Sequence, residues 1–141
     1  FYTAVQNEAA KPYWQRETVE PPDNPLLKTL LSPFERAGLQ YAVNTARLRV
    51  VLTAVAAQAY RAETGSYPSS LQHMVSDYLP QIPRDPFADA AVRVASADKG
   101  SGALRIYSVG PDGDDDGGTA IDRPALNENI DGDIVMVLDA D

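Results

Sequence analysis

The chain of 141 residues contains no cysteine and a single histidine, His73. These absences exclude disulfides, thiol nucleophiles, iron–sulfur clusters and zinc sites built from cysteine and histidine. They also exclude a Ser-His-Asp triad accompanied by any further histidine. The chemistry that remains is that of carboxylates, hydroxyls and hard cations, and a chain without cysteine is compatible with any redox compartment.

Long apolar runs are also lacking. No stretch reaches the roughly 18 uninterrupted apolar residues that span a bilayer. No charged start followed by an apolar core indicates a signal peptide. The first residue is Phe1 rather than methionine. We therefore expect a processed form of a protein, or a soluble fragment of a longer one.

Basic residues are scarce relative to acidic ones. Twelve Lys and Arg stand against twenty Asp and Glu, which gives a formal net charge of −8. This balance argues against a compact basic face for nucleic acid. The excess acid is local, because ten of the twenty acidic residues but only one basic residue, Arg123, lie between Val109 and Asp141. The acidic C-terminal part is therefore the most informative part of the chain.

Residues 1–31 contain four prolines among several aromatic residues. Proline at this density disfavours long helices and strands, so we predict an extended arm or linker. Its aromatic side chains would pack either on this domain or on a neighbour, and a loosely held tail is an equally favoured alternative. Residues 32–141 are predicted to form the folded domain. Within it, Ser32 is a candidate N-cap and Glu35 completes a capping box. The pattern then continues without proline to Gly65, which predicts a helix from Pro33 to Thr64.

Apolar residues follow this predicted helix in two stripes. One stripe contains Leu39, Val43, Ala46, Val50 and Ala54, and the other contains Leu48, Leu52, Val55 and Ala59. Together they form a surface too broad for a simple two-stranded coiled coil. We predict a helix covered on most sides, with Val50, Leu52 and Val55 packed against a sheet; a binding groove is the less favoured alternative.

Shorter elements follow. Ser69–Gln72 has capping-box spacing and predicts a short helix to about Asp77. Strands are predicted over Ala91 to Ala95 and Leu104 to Val109, joined by a turn, and over Ile134 to Leu138, whose continuous apolar run is typical of a central, buried strand. The segregation of helices and strands predicts the α+β class, with the long helix packed on a small antiparallel β-sheet.

The strongest local signal is the run Asp-Gly-Asp-Asp-Asp-Gly that begins at residue 112. Alternating Asp residues before a glycine are typical of a calcium loop, because calcium takes six to eight oxygens that short side chains on a tightly curved backbone supply. By alternation Asp112, Asp114 and Asp116 are the predicted ligands, whereas Asp115 is predicted to point to solvent. Asn129, Asp131 and Asp133, which precede the last strand, are candidates for further oxygens.

The match to a calcium loop has limits. A complete EF-hand loop ends in Glu at its twelfth position, which here is Arg123, and no convincing helices flank the segment, so an EF-hand is excluded. A solvated acidic hairpin is the alternative, since Asp-Gly pairs also form turns. The mutual repulsion of closely packed carboxylates favours the calcium loop.

No other constellation carries chemistry. His73 lies on the polar side of the predicted short helix, where a surface role is favoured over a ligand role. Glu35 and Glu63 are too far apart on one helix to act as a carboxylate pair. No glycine-rich phosphate loop precedes a helix. We therefore expect a protein that is not an enzyme.

Several short motifs occur in a characteristic order. They are Tyr60–Pro68 at the end of the long helix, Tyr78-Leu79-Pro80, Pro83–Phe87, Tyr107–Gly113 before the acidic loop, and Asp133-Ile134 at the last strand. In order and spacing the chain from about Leu39 to Leu138 resembles the soluble part of the major pseudopilins of bacterial type II secretion systems. These belong to the type IV pilin-like superfamily.

The resemblance implies a long helix on a small antiparallel sheet and a calcium site in the loop before the last strand, with Asp112 as its first ligand. It also implies a non-enzymatic subunit of a short extracytoplasmic filament, in the periplasm or at the cell surface. Its partners would be other pilin-like subunits, and it would reach the membrane only through an N-terminal segment that this chain lacks.

The start of the chain departs from the family pattern. A mature pilin begins with Phe and about twenty apolar residues, whereas this chain becomes polar soon after Phe1. Either the assembly helix has been removed, or the domain lies at the end of a larger surface or periplasmic protein. In the second case a calcium-dependent module that binds a glycan or a protein is the alternative function.

Overall fold

The computed structural model describes residues 1–96, 102–121 and 131–140. In these ranges it has two α-helices, α1 (Tyr2–Ala10) and α2 (Pro25–Thr64), and three strands, β1 (Arg93–Ser96), β2 (Leu104–Ser108) and β3 (Ile134–Leu138). Single 3₁₀ turns occupy Tyr13–Gln15 and Leu71–Met74. Helix α2 packs on the antiparallel sheet, so the predicted α+β class is confirmed.

Helix α2 has 40 residues and begins eight residues earlier than predicted. The side chain of Asn24 caps it by accepting hydrogen bonds from the backbone N–H groups of Leu26 and Leu27, at 2.9 and 3.4 Å. Pro25 takes the first helical position, where a missing N–H costs nothing. Pro33 therefore lies inside the helix and not at its start. The predicted end is confirmed, because Gly65 adopts a left-handed conformation with φ of 83°.

Part of the predicted extended arm is helical. Helix α1 and the first 3₁₀ turn both precede residue 25, and α2 also begins inside residues 1–31. The ring of Tyr13 packs edge-on against Phe87 at 5.3 Å between centroids, so one arm aromatic contacts the domain. The division into an arm of residues 1–31 and a domain of residues 32–141 stays a prediction.

Only one side of α2 is buried. Leu39, Val43, Ala46, Val50 and Ala54 lie in the core, as predicted. The second predicted stripe is wrong, because Leu48, Leu52 and Val55 are exposed over 60, 49 and 62% of their surface. The physical reason is that the sheet forms a single layer against the helix, and residues about half a turn away from that layer face outward.

Strand β2, and not β3, is central in the sheet, whose order is β1-β2-β3. The bounds of β3 are those predicted, but its central position is wrong. Ile134, Met136 and Leu138 pack toward the core clusters that contain α2, whereas Val137 is exposed. An apolar run can therefore form an edge strand when its second face is only partly covered.

The C-terminal end of the sheet is attached to the end of α2. Arg61 donates to the carbonyl oxygens of Asp139, at 2.8 Å, and Ala140, and the Tyr67 hydroxyl donates to the carbonyl of Asp139 at 2.9 Å. The hydroxyl of Tyr78 donates to Glu63 at 2.6 Å, which raises the pKa of Tyr78 to about 12. Tyr67 and Tyr78 therefore both form hydrogen bonds within the fold.

Two further expectations concern the middle of the chain. The predicted short helix is a single 3₁₀ turn, Leu71–Met74, which buries Leu71 and Met74 and leaves His73 exposed. Of the turn predicted at residues 98–102 between β1 and β2, residues 98–101 lie outside the described residues. No helix in the described part of the chain combines enough length and apolar character to cross a membrane.

The burial of α2 and β2 predicts a contrast between two substitutions. Ile106→Ala, in the core of β2 and fully buried, should lower the free energy of unfolding by about 2–5 kcal/mol. Leu52→Ala, on the exposed side of α2, should lower it by less than about 1 kcal/mol. Urea unfolding monitored by circular dichroism measures both, and equal losses would contradict the one-sided packing.

Candidate metal centre

The acidic loop leaves the central strand β2 and returns at the edge strand β3. Its two ends meet at Gly110 and Gly132, which both have positive φ, of 76° and 110°. A Cβ atom at position 110 would collide with the carbonyl oxygen of Gly132. Gly132 in turn donates its N–H to Oδ2 of Asp112 at 2.8 Å. The close approach of the two glycines therefore brings residues 112–116 beside Asp131.

Four carboxylates form a cluster at this point, from Asp112, Asp114, Asp116 and Asp131. One oxygen from each lies within 4.8 Å of the others, and three of the four residues are exposed. Oxygens bound to one calcium ion are at most about 5 Å apart, because each lies 2.3–2.6 Å from the metal. The cluster can therefore hold a metal ion.

Asp133, the fifth predicted ligand, lies outside this cluster. It is completely buried, and its Oδ2 accepts the N–H of Gly118 at 2.6 Å. Its Oδ1 has no hydrogen-bond partner among the described residues. The backbone of Asp133 also pairs with Thr119 and Ile121. Asp133 thus holds the returning part of the loop against the start of β3. Asn129, another predicted oxygen donor, lies outside the described residues.

Asp115 lies outside the cluster and its side chain is 46% exposed, but it also has partners within the chain. Its Oδ2 forms an ion pair with Nε of Arg93 at 3.0 Å, and its Oδ1 accepts the N–H of Gly117 at 3.1 Å. The alternation of the sequence does separate Asp115 from its two neighbours in the cluster, and the exposed side chain lies against strand β1. The cause is the long-range partner Arg93, which the local pattern does not reveal.

The loop lies across the face of the sheet that is turned away from α2. Arg93, Arg105 and Tyr107 project from that face, and Arg105 donates to the carbonyl of Gly117 at 3.4 Å. A Cβ atom at position 118 would collide with the side chain of Arg105. Gly118, with φ of 81°, therefore permits the loop to rest directly on the sheet.

Several carboxyl groups of the loop are held in unfavourable surroundings. Burial raises the pKa of Asp112, and the charge of Asp114 adds to the effect, although the hydrogen bond from Gly132 opposes it. Burial also raises the pKa of Asp116, together with the charges of Asp114, Asp131 and Asp115. Oδ2 of Asp116 is buried and has no hydrogen-bond partner among the described residues. A bound cation would relieve both the repulsion and the missing contact.

Sequence reasoning missed the residue that supports the start of the loop, Asp85. Its carboxylate accepts hydrogen bonds from the N–H of Phe87, the hydroxyl of Ser108 and the N–H of Val109, at 3.0, 2.7 and 3.0 Å. The sequence signal was the polar Asp between Pro83 and Pro86, which reads as an ordinary turn residue. Its contacts join that turn to the end of β2, from which the acidic loop departs.

Comparisons with protein-family models, with curated proteins and with solved structures find no match for this chain. What the chain does must therefore be argued from its own residues and geometry.

The burial of Asp133 predicts a pH dependence. Burial, and then the charges of Asp115 and Asp116, raise the pKa of Asp133 above its usual value, which outweighs the hydrogen bond from Gly118. A raised carboxyl pKa costs stability once the pH exceeds the unfolded value near 4, and the cost grows until the folded value is passed. Asp133→Asn keeps an oxygen for Gly118 and removes the charge.

Without metal, the melting temperature of Asp133→Asn relative to the original protein should therefore rise between pH 4 and pH 7. Thermal melts in chelator at several pH values measure this difference. Asp77→Asn, at an exposed site outside the loop, serves as the control and should show a smaller change. A difference that falls with increasing pH would contradict the unfavourable burial of this carboxylate.

Proposed function

We propose that this protein is a non-enzymatic, extracytoplasmic structural subunit, similar to the major pseudopilins, whose acidic loop binds one calcium ion. The observation that carries the proposal is the cluster of Asp112, Asp114, Asp116 and Asp131, with one oxygen from each within 4.8 Å of the others. It lies between β2 and the last strand, where the resemblance to pseudopilins implies a calcium site. The long helix on a small antiparallel sheet agrees with the same family.

Calcium fits the donors of the cluster better than other common metals do. All four donors are carboxylate oxygens, which hard cations prefer, whereas zinc and copper sites generally include histidine or cysteine. Magnesium requires near-ideal octahedral geometry at 2.0–2.1 Å and retains several waters. A loop closed by glycines and built from short side chains suits the larger and more adaptable coordination sphere of calcium.

Charge balance supports a bound cation. Among the described residues, the ion pairs of this region involve Asp85, Asp89 and Asp115, not the four clustered carboxylates. The four negative charges therefore repel one another, and no basic side chain in the described part of the chain forms an ion pair with them. A calcium ion would cancel this repulsion and would tie Asp131, just before β3, to the residues that follow β2. Its structural effect would be to hold the edge strand in place.

The exposed side of α2 supports a role in assembly. Phe34, Tyr41, Leu48 and Val55 recur at intervals of seven residues, which is the spacing of a helix–helix contact. Phe34 and Tyr41 are each exposed over 74% of their surface. Leu26, Leu30 and Leu52 extend the same apolar stripe. A monomer with no helical partner rarely exposes so long an apolar surface.

The alternative of a ligand-binding module has less support. Three aromatic residues whose stacking on a sugar or a peptide would favour this alternative already have partners within the chain. Tyr67 lies under Arg61, Tyr78 packs edge-on against Tyr60, and Phe87 is buried against Tyr13. The assembly subunit is therefore the function that we propose.

Calcium should stabilise the protein. Affinity is expected on the order of 10⁻⁴ M, as in extracellular calcium modules. Millimolar calcium should then add roughly 1.4 kcal/mol to the free energy of unfolding and raise the melting temperature by a few degrees. Magnesium should substitute poorly. Thermal melting in calcium, magnesium and chelator, together with calorimetric titration, measures these effects.

Substitutions in the acidic loop test whether the clustered carboxylates bind the calcium ion. Asp114→Asn combined with Asp116→Asn should abolish calcium uptake and the gain in melting temperature, whereas Asp77→Asn should leave both unchanged. The double variant should also be more stable than the original protein in chelator, because it removes two repelling charges. Equal melting temperatures of the original protein in calcium, magnesium and chelator, together with no calcium uptake, would show that the loop is a solvated turn.

The exposed stripe of α2 should mediate self-association. Sedimentation at increasing protein concentration should reveal oligomers of the original chain. Tyr41→Glu combined with Leu48→Glu should shift the population to monomer by placing charges in an apolar contact. Gln72→Glu, which adds one exposed charge far from the stripe, is the matched control, and circular dichroism verifies that each variant is folded. A monomer at all concentrations would remove this support for assembly by the isolated chain.

A further inference from the structure

We propose that Arg93 is a positioning residue for the calcium loop: it connects Asp115, the acid between two clustered ligands, to the buried Asp85, and thereby aims Asp114 and Asp116 at the ion. The inference rests on the calcium site proposed above and assigns a role to two residues outside the ligand set. The geometry that carries it is a chain of two ion pairs through one guanidinium group.

The inner end of this chain is rigid. The Asp85 side chain is inaccessible to solvent and accepts hydrogen bonds from Phe87, Ser108 and Val109. Nη1 of Arg93 lies 3.5 Å from Oδ2 of Asp85. Since Arg93 also belongs to strand β1 and pairs with Tyr107 of β2, its backbone is held by the sheet. The guanidinium therefore offers the loop a fixed point of attachment.

The outer end controls the direction of the ligands. Asp115 is bound twice, by Nε of Arg93 at 3.0 Å and by the N–H of Gly117 at 3.1 Å. With Asp115 turned toward β1, its two neighbours in the chain, Asp114 and Asp116, belong to the cluster with Asp112 and Asp131. Without the ion pair between Arg93 and Asp115, residues 114–116 would be able to rotate. Calcium would then have to order the carboxylates of the cluster when it binds.

The direction in which calcium affinity changes when Arg93 is replaced distinguishes a positioning role from a purely electrostatic one. A positive charge near a cation site opposes cation binding, so an electrostatic role alone predicts that loss of Arg93 tightens calcium binding. A positioning role predicts the opposite, because residues that orient metal ligands typically contribute about 10–100-fold in affinity. Arginine suits this role, since its planar fork can engage two carboxylates from fixed directions.

Calcium titration calorimetry on the full chain tests the proposal. Arg93→Gln should bind calcium about tenfold more weakly than the original protein. Arg93→Lys keeps the charge and should recover only part of the loss, since an ammonium group cannot bridge both carboxylates in the same way. Arg36→Gln, which removes one exposed positive charge from α2, is the control and should not weaken binding.

A double-variant cycle with Asp115→Asn provides the decisive comparison. If Arg93 acts through Asp115, then replacing Arg93 should weaken binding in the original chain but not in the Asp115→Asn background. Should Arg93→Gln fail to fold, because it leaves Asp85 buried beside no cation, the same comparison is made with Arg93→Lys. Tighter or unchanged binding after loss of Arg93, or the same loss in both backgrounds, would overturn the proposal.

A measurement without calcium distinguishes failure of this proposal from failure of the calcium site. In chelator, the amide hydrogens of Gly117 and Gly118 should exchange faster in Arg93→Lys than in the original chain, because the loop has lost its anchor. No calcium uptake by the original chain would refute the calcium site, while this exchange rate would still test the anchor. Unchanged exchange would refute the anchoring role itself.

Discussion

A three-stranded sheet can cover only one side of a 40-residue helix, and most features of this protein follow from that constraint. The covered side of α2 carries small and branched residues, among them Ala46, Ala54 and Val50, which allow the sheet to approach closely. The opposite side remains apolar but has no partner among the described residues. Helix α2 therefore supports the sheet with one side and exposes apolar side chains on the other.

The same constraint explains the place of the acidic loop. Because α2 occupies one face of the sheet, the other face is available for the chain that connects β2 to β3. That face presents Arg93 and Arg105, whose positive charges attract a loop rich in aspartate. Glycines at 110, 118 and 132 permit the close contacts that this path requires. The described residues 109–121 of this connection are thus a third layer that charged side chains and glycine turns hold on the sheet.

Within the loop, adjacent acids have different surroundings. Asp115 is compensated by Arg93, and Asp133 is buried and binds a backbone N–H, whereas Asp112, Asp114, Asp116 and Asp131 share a small volume. The raised pKa values of Asp112 and Asp116 express the cost of that arrangement without a cation, with burial as the leading cause. A bound cation would remove that cost, which is why the cluster guides our functional proposal.

The sequence by itself determined those features that depend on neighbours in the chain. The end of α2 at Gly65, the bounds of β3 and the separation of Asp115 from Asp114 and Asp116 all follow from local conformational preference or from a spacing of two residues. The predicted start of α2 at Pro33 was wrong, because Asn24-Pro25 is also a local start signal and lies eight residues earlier. The tertiary structure alone decided which apolar stripe is buried, that β3 lies at the edge, and that Asp115 pairs with Arg93 while Asp133 is buried. Each of these outcomes depends on contacts between residues that are far apart in the chain. The two apolar stripes of α2, for example, look equivalent in the sequence, and the position of the single sheet layer decides which of them is buried.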